Sequence, residues 1–78
     1  MMVKVYSTPT CPYCVALKNF LQENKIEFQY IDVSQNDAER EKMIEKTGQM
    51  GVPVIEIDNE VIVGFDRERI SQLLNIKH

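Results

Sequence analysis

The sequence predicts an α/β fold with the element order β-α-β-α-β-β-α, a four-stranded mixed sheet flanked by three helices. Short runs of β-branched and aromatic residues alternate with segments of helical period, which favours strand-helix-strand units and a parallel crossover. Two later apolar runs are separated by Asp58-Asn59, which is typical of a hairpin and adds antiparallel strands. The 78 residues, 44% of them hydrophobic, suit a single domain over residues 1–78.

The first half of the chain predicts a strand, a helix and a second strand. The first strand covers residues 2–7 and ends at a Thr-Pro-Thr cluster. The helix has Thr10 as its N-cap and Pro12 in its first turn, where the missing N–H costs nothing, and Asn24 can end it. The second strand covers residues 28–33.

The second half predicts a charged helix, the hairpin and a last helix. The charged helix covers residues 38–47 and ends at Gly48, and Arg40 lies in line with its apolar stripe. The hairpin strands cover residues 52–57 and 60–63. Asp66 is the N-cap candidate of a final amphipathic helix that runs to the end of the chain.

The apolar residues of these elements predict the core. In the first helix, Val15, Leu17, Phe20 and Leu21 recur near a period of 3.6 residues. We expect the sheet to be covered by a core of Leu17, Phe20, Ile31, Val54, Ile55, Ile70 and Leu74.

Composition and charge exclude several function classes. Nine basic residues against twelve acidic ones give a net charge of −3, without the basic patch of a nucleic-acid binder or a membrane-surface protein. No apolar stretch approaches the roughly 20 residues that cross a bilayer, and the first residues have no signal-peptide pattern. We therefore expect a cytoplasmic protein, where a disulfide is usually transient or catalytic.

The two cysteines, Cys11 and Cys14, form a C-x-x-C motif at the predicted strand-to-helix junction. Unpaired backbone N–H groups and the positive end of the helix dipole stabilise a thiolate there, so the pKa of Cys11 should fall below that of an ordinary thiol. Cys14, one turn further along, should be less accessible. Cys11 can therefore attack a disulfide, and Cys14 can displace the product from the mixed disulfide.

Three other interpretations of the cysteine pair stay open at this point. A zinc site needs three or four ligands, and besides the two thiols the chain offers only His78, so we expect no metal. A structural bridge across so short a loop would remove little entropy from the unfolded chain. The two thiols could also be inert.

The sequence resembles the glutaredoxins, a branch of the thioredoxin superfamily, over nearly its whole length. The resemblance is carried by Thr10-Cys11-Pro12-Tyr13-Cys14, by Val52-Pro53 and by Gly64-Phe65-Asp66. It implies a thioredoxin-like fold and a dithiol thiol-disulfide oxidoreductase with no bound cofactor. Glutathione would be its co-substrate, and its substrates would be protein disulfides and glutathione mixed disulfides.

The resemblance also implies a glutathione site beside the cysteines. It implies a cis peptide bond before Pro53, with the Val52 backbone N–H and C=O turned toward the cysteine backbone of glutathione. The backbone N–H groups of Phe65 and Asp66 would face the γ-glutamyl carboxylate. The Asp66 carboxylate would receive the γ-glutamyl ammonium group.

Two more contacts and three departures complete the resemblance. Arg40 matches a family position that meets the glycine carboxylate of glutathione, and Tyr13 would flank the ligand. Thr8, Gly51 and Val63 stand where many glutaredoxins have lysine, threonine and glycine. Each change removes a charge, a donor or some room near the tripeptide, and therefore predicts weaker glutathione binding.

These departures favour a second interpretation. Glutaredoxin-like redoxins, which are reduced by thioredoxin reductase and serve ribonucleotide reductase, are also short and lack parts of the glutathione site. An iron-sulfur carrier of the monothiol glutaredoxin type and a binding module with silent cysteines are further alternatives, although Pro-Tyr between the cysteines resembles the forms without a cluster.

Overall fold

The structure, a computed structural model, describes residues 2–76. It confirms the predicted α/β fold class, a four-stranded mixed sheet with three helices. Met1, Lys77 and His78, the metal-ligand candidate among them, lie outside the described residues. In chain order the elements are β1 (Val3–Ser7), α1 (Pro12–Glu23), β2 (Gln29–Asp32), α2 (Asp37–Thr47), β3 (Val54–Ile57), β4 (Glu60–Val63) and α3 (Arg67–Leu74).

The sheet has the strand order β2-β1-β3-β4. Strand β1 runs parallel to β2 and antiparallel to β3, and β3 runs antiparallel to β4. Tyr6 pairs with Val54, and Val54 pairs in turn with Val63. This register brings the end of β1, the start of β3 and the end of β4 to the same end of the sheet.

The helices cover the two faces of the sheet unequally. Helices α1 and α3 pack on one face around the larger buried cluster, formed by Val3, Val5, Leu17, Phe20, Leu21, Ile55, Ile57, Ile62, Ile70 and Leu74. Helix α2 covers the other face, where the buried cluster is Tyr6, Val33, Met43 and Val54.

Most of the predicted core is buried, with two corrections. Ile31 is only partly buried because β2 is an edge strand, so one side of it lacks a neighbour. Val15 was expected on the apolar stripe of the first helix but is 48% exposed. The inward face of α1 instead runs through Cys14, Leu17 and Leu21, which recur at i, i+3 and i+7.

Strands β1 and β2 and helix α2 differ from the predictions by one residue at one or both ends, and three other boundaries differ for a physical reason. Cys11, not Thr10, is the N-cap of α1, because its own sulfur accepts a hydrogen bond from the helix start. Strand β3 begins at Val54 rather than at residue 52, since Pro53 has no N–H to donate to a sheet. Helix α3 ends at Leu74 because Asn75 adopts a left-handed conformation, with φ of 57°. None of the helices in residues 2–76 is long and apolar enough to cross a membrane.

Candidate functional site

Cys11 lies at the start of α1, where the loop after β1 enters the helix. Its backbone is extended, with φ of −99° and ψ of 108°, and its backbone N–H donates to the Thr8 carbonyl at 3.3 Å. Its Sγ accepts a hydrogen bond of 3.1 Å from the backbone N–H of Cys14. The sulfur therefore takes the place of the oxygen that a serine or aspartate N-cap would supply.

Cys11 and Cys14 are joined as a disulfide, with their Cα atoms 5.2 Å apart. Their exposures differ, because Cys11 is partly exposed while Cys14 is fully buried on the inward face of α1. An incoming sulfur therefore reaches Cys11 before Cys14. No acidic side chain lies in the first turn of α1 to oppose a negative charge on Cys11.

Pro53 lies at the same end of the sheet as Cys11. It precedes Val54, which pairs with Tyr6 near the end of β1, and the Val52–Pro53 peptide bond is cis, as the resemblance implies. Pro53 is buried, while Val52 is partly buried. The backbone N–H and C=O of Val52 have no hydrogen-bond partner among the described residues.

The loop from β4 to α3 is tied to Pro53. The backbone N–H of Gly64 donates to the Pro53 carbonyl at 2.8 Å, and Gly64 has a φ of +85°, which a side chain would strain. Asp66 is the N-cap of α3, as predicted, and its Oδ1 accepts from the Arg69 N–H at 3.2 Å. The topology therefore brings the α3 N-terminus to the end of the sheet that carries Cys11.

The side chain of Phe65 points away from this loop and into the fold. Its ring packs against Phe20 of α1 with centroids 5.7 Å apart, and the Arg67 guanidinium lies 5.2 Å from the same Phe20 ring. Phe65 therefore offers its backbone, rather than its ring, at the start of α3. This geometry agrees with the backbone role that the resemblance implies.

Arg40 and Tyr13, the remaining candidates, stand in different surroundings. Arg40 lies on α2, and its Nη2 pairs with the Asp37 Oδ1 at 3.1 Å. The Arg40 side chain is 40% exposed, so a ligand can reach it. Tyr13 follows Cys11 by two residues and is 69% exposed.

Two features near the site were not predicted from the sequence. Asp37 forms an ion pair with Arg40, and the i, i+3 spacing of the two residues could have indicated this pair. On the α2 face, the Lys46 Nζ donates to the Glu56 Oε2 at 2.5 Å, and the hydrogen bond to Glu56 raises the pKa of Lys46. Nothing in the local sequence pattern brings these two residues together.

The hydroxyl of Tyr6 lies beside that pair. The side chain is fully buried, and its Oη has no well-aligned hydrogen-bond partner within residues 2–76, although Lys46 lies close enough to interact with it. Burial raises the pKa of Tyr6, and the charge of Lys46 offsets only part of that rise. The α2 face of the sheet therefore has polar groups, the Tyr6 hydroxyl and the Lys46–Glu56 pair, beside its apolar cluster.

Comparisons with known proteins agree with this site. The Glutaredoxin family profile matches residues 3–62 of the chain. The chain belongs to the glutaredoxin family. Its activity class is therefore thiol-disulfide oxidoreductase, and Cys11 and Cys14 are the pair of thiols that forms its disulfide.

Individual relatives cover most of the chain. It is 45% identical over 73 residues to an "uncharacterized glutaredoxin-like 8.6 kDa protein in rubredoxin operon" of Clostridium pasteurianum, covering 94% of this chain and 97% of that protein. It is 41% identical over 64 residues to glutaredoxin 3 of Escherichia coli K12, covering 82% of this chain and 77% of that protein. A solved structure of the T8A mutant of the thioredoxin-like protein BC3987 superposes with a TM-score of 0.91, at 37% identity and 96% coverage of both chains.

Proposed function

We propose that this protein is a dithiol glutaredoxin that reduces protein disulfides and glutathione mixed disulfides, with glutathione as its electron donor. The observation that carries the proposal is the arrangement of the two cysteines. Cys11 is the partly exposed N-cap of α1, its sulfur receives the Cys14 N–H, and Cys14 is buried one turn behind it. Cys11 is accordingly assigned as the nucleophile and Cys14 as the resolving thiol.

The reaction follows from this arrangement. The Cys11 thiolate attacks one sulfur of the substrate disulfide, a Cys11–S bond forms, and the other substrate sulfur leaves as a thiolate that takes up a proton. The Cys14 thiolate then attacks the Cys11 sulfur and releases the second substrate thiol, which leaves the Cys11–Cys14 disulfide. Two electrons pass to the substrate, and two molecules of glutathione restore the dithiol with formation of oxidised glutathione.

Exposed apolar side chains at the end of the sheet that carries Cys11 support protein disulfides as substrates. Tyr13 is 69% exposed, Met50 is 64% exposed and Val63 is 43% exposed. They lie in the first turn of α1, the loop before Pro53 and the end of β4, which the register brings to one end of the sheet. Apolar surface beside a nucleophile favours a protein segment as the group that docks there.

Backbone groups support glutathione as the second substrate. The Val52 N–H and C=O are free to pair with the cysteine backbone of the tripeptide. The N-terminus of α3 offers N–H groups to a carboxylate, and Asp66 offers a carboxylate to an ammonium group. The proposal includes a cytoplasmic location, because a glutathione pool keeps such a thiol pair reduced there. No bound cofactor is part of it.

A second candidate is a glutaredoxin-like redoxin that receives electrons from thioredoxin reductase and passes them to ribonucleotide reductase. Thr8, Gly51 and Val63 favour it, because they lack groups or room that many glutaredoxins use for the tripeptide. The pairing of Arg40 with Asp37 points in the same direction. Both candidates share the chemistry at Cys11 and differ in the electron donor.

The test of the proposal is the choice of donor. The protein is supplied with NADPH and either glutathione plus glutathione reductase or thioredoxin reductase alone, and reduction of a small disulfide is followed by NADPH consumption. We expect the glutathione arm to drive turnover. Turnover only with thioredoxin reductase would establish the second candidate instead.

Serine variants of the two cysteines test the assigned roles. Cys11→Ser should abolish turnover of every disulfide. Cys14→Ser should keep turnover of glutathione mixed disulfides, which a second glutathione can resolve, but should trap protein substrates as mixed disulfides on Cys11. Equal loss in both variants on both substrates would contradict this division of roles.

A further inference from the structure

The guanidinium group of Arg40 already pairs with a carboxylate of its own helix. Its Nη2 lies 3.1 Å from the Oδ1 of Asp37, one helical turn earlier on α2. The start of this helix is fixed, because the Asn36 side chain caps it at the Glu39 N–H and the Arg40 N–H donates to the Asn36 carbonyl. The i, i+3 spacing therefore places the two side chains on one face of the first turns of α2.

A carboxylate that binds Arg40 must compete with Asp37. Either the incoming group displaces Asp37, or it shares the guanidinium with a like charge a few ångströms away. Both alternatives weaken the new contact, since an intrahelical ion pair at i, i+3 is lost in the first and carboxylate repulsion is added in the second. Asp37 is 81% exposed, so it can swing away at modest cost.

We propose that Asp37 is a specificity-determining residue that lowers the affinity of this protein for substrates presenting a carboxylate to Arg40. The inference rests on the proposed glutathione activity, in which Arg40 meets the glycine carboxylate. Protein disulfides that offer Arg40 no carboxylate are not penalised. Asp37 therefore biases the enzyme toward protein disulfides and away from glutathione mixed disulfides.

The test uses the full chain and two substrates. One is a mixed disulfide of glutathione with a cysteine-containing peptide, and the other is cystamine, a small disulfide without a carboxylate. Turnover is driven by dithiothreitol at low ionic strength, with the uncatalysed rate subtracted. For Asp37→Asn we expect the KM for the glutathionylated peptide to fall about two- to threefold with kcat unchanged, and the KM for cystamine to stay constant.

Two further variants make the result specific to the ion pair. Glu45→Gln removes the same charge from an exposed position of α2 that has no partner within residues 2–76, and should leave both KM values unchanged. In an Arg40→Ala background, Asp37→Asn should no longer lower the KM for the glutathionylated peptide, because the group under competition is gone. Added salt should shrink the Asp37→Asn effect in the parent background.

The outcomes separate this inference from the function on which it rests. A KM that rises in Arg40→Ala but does not change in Asp37→Asn would overturn the role of Asp37 and leave glutathione binding at Arg40 intact. A fall in KM of equal size in both backgrounds would also overturn it, since the effect would then bypass Arg40. No change in KM with Arg40→Ala would remove the glycine-carboxylate contact from the proposed function itself.

Discussion

The two faces of the sheet are built in different ways. On the first face, the sheet, α1 and α3 together contribute ten residues to one buried cluster, and α1 alone buries Cys14, Leu17, Phe20 and Leu21. On the second face, α2 buries only Met43 of its eleven residues. The Lys46–Glu56 ion pair also ties α2 to β3. The first face relies on apolar packing, and the second combines a small apolar cluster with polar contacts.

The cysteines and the Arg40–Asp37 pair therefore belong to helices that are attached to the sheet in different ways. The helix that holds both cysteines is anchored in the larger apolar cluster, which fixes the position of Cys11 relative to the sheet. The helix that holds Arg40 and Asp37 is attached to the sheet by one fully buried side chain, Met43, and by the Lys46–Glu56 ion pair. Elements with fewer buried apolar contacts open more easily, so we expect α2 to be the more adjustable helix.

The largest expected effect comes from removing a buried side chain on each face. Leu17→Ala should lower the free energy of unfolding by about 3–5 kcal/mol, because it leaves a cavity between α1 and the sheet. Met43→Ala should cost about 2–3 kcal/mol, because α2 can settle into the space. Urea denaturation gives both values, and hydrogen exchange should show Met43→Ala opening α2 ahead of the other helices. If Met43→Ala lost more free energy of unfolding than Leu17→Ala, the second face would be the one that depends more on apolar packing.

A smaller effect is expected at the helix N-caps of the two faces. Asp66→Ala on α3 and Asn36→Ala on α2 should each cost about 1 kcal/mol, because each removes one capping hydrogen bond. Only Asp66→Ala should also raise the KM for glutathione mixed disulfides, by about two- to fivefold, since the proposed contact of Asp66 with the ammonium group would be exposed.

Asp66→Asn separates the cap from the charge. Asparagine caps a helix about as well as aspartate, so the free energy of unfolding should hold within about 0.5 kcal/mol while the KM still rises. If Asp66→Asn keeps the parent KM, Asp66 acts as an N-cap and not as a ligand for glutathione.

The sequence predicted some features of each face and missed others. The C-x-x-C motif and the capping residue Asp66 are local patterns, and the structure agrees with their placement. On the same face, Val15 as part of the apolar stripe and Thr10 as the N-cap of α1 are wrong. The i, i+3 pairing of Arg40 with Asp37 is equally local, but the resemblance predicts a glutathione contact for Arg40 rather than a partner on its own helix.

The burial of Ile31, the Lys46–Glu56 pair and the environment of Tyr6 share one physical cause. The burial of Ile31 depends on whether β2 lies at the edge of the sheet, which is a property of strand order and not of the residue. Lys46 and Glu56 meet only because α2 crosses over β3. The environment of Tyr6 likewise depends on which helix covers its face. Tertiary context of this kind has no signature within a window of ten residues.

The smallest predicted effect is a loss of stability at high pH on the second face. Burial raises the pKa of Tyr6 above its ordinary 10.0, and the hydrogen bond to Glu56 raises that of Lys46 above its ordinary 10.5. A raised pKa means that the folded chain holds the proton more tightly than the unfolded chain does. This stabilisation is complete below about pH 10 and is lost as the pH rises through the folded-state pKa values.

Tyr6→Phe tests the tyrosine part of that effect. At pH 7 its free energy of unfolding should stay close to that of the parent, because removal of the hydroxyl loses no more than a contact with Lys46, which keeps its hydrogen bond to Glu56. Between pH 8 and pH 11, roughly the range around tyrosine ionisation, the variant should lose less stability than the parent. Tyr13→Phe, which removes the same hydroxyl from an exposed ring, should lose as much as the parent. The measurement is urea denaturation as a function of pH, on the oxidised protein because its disulfide does not titrate. If the free energy of unfolding falls with pH in parallel for all three proteins, the Tyr6 hydroxyl ionises as freely in the folded state as in the unfolded chain.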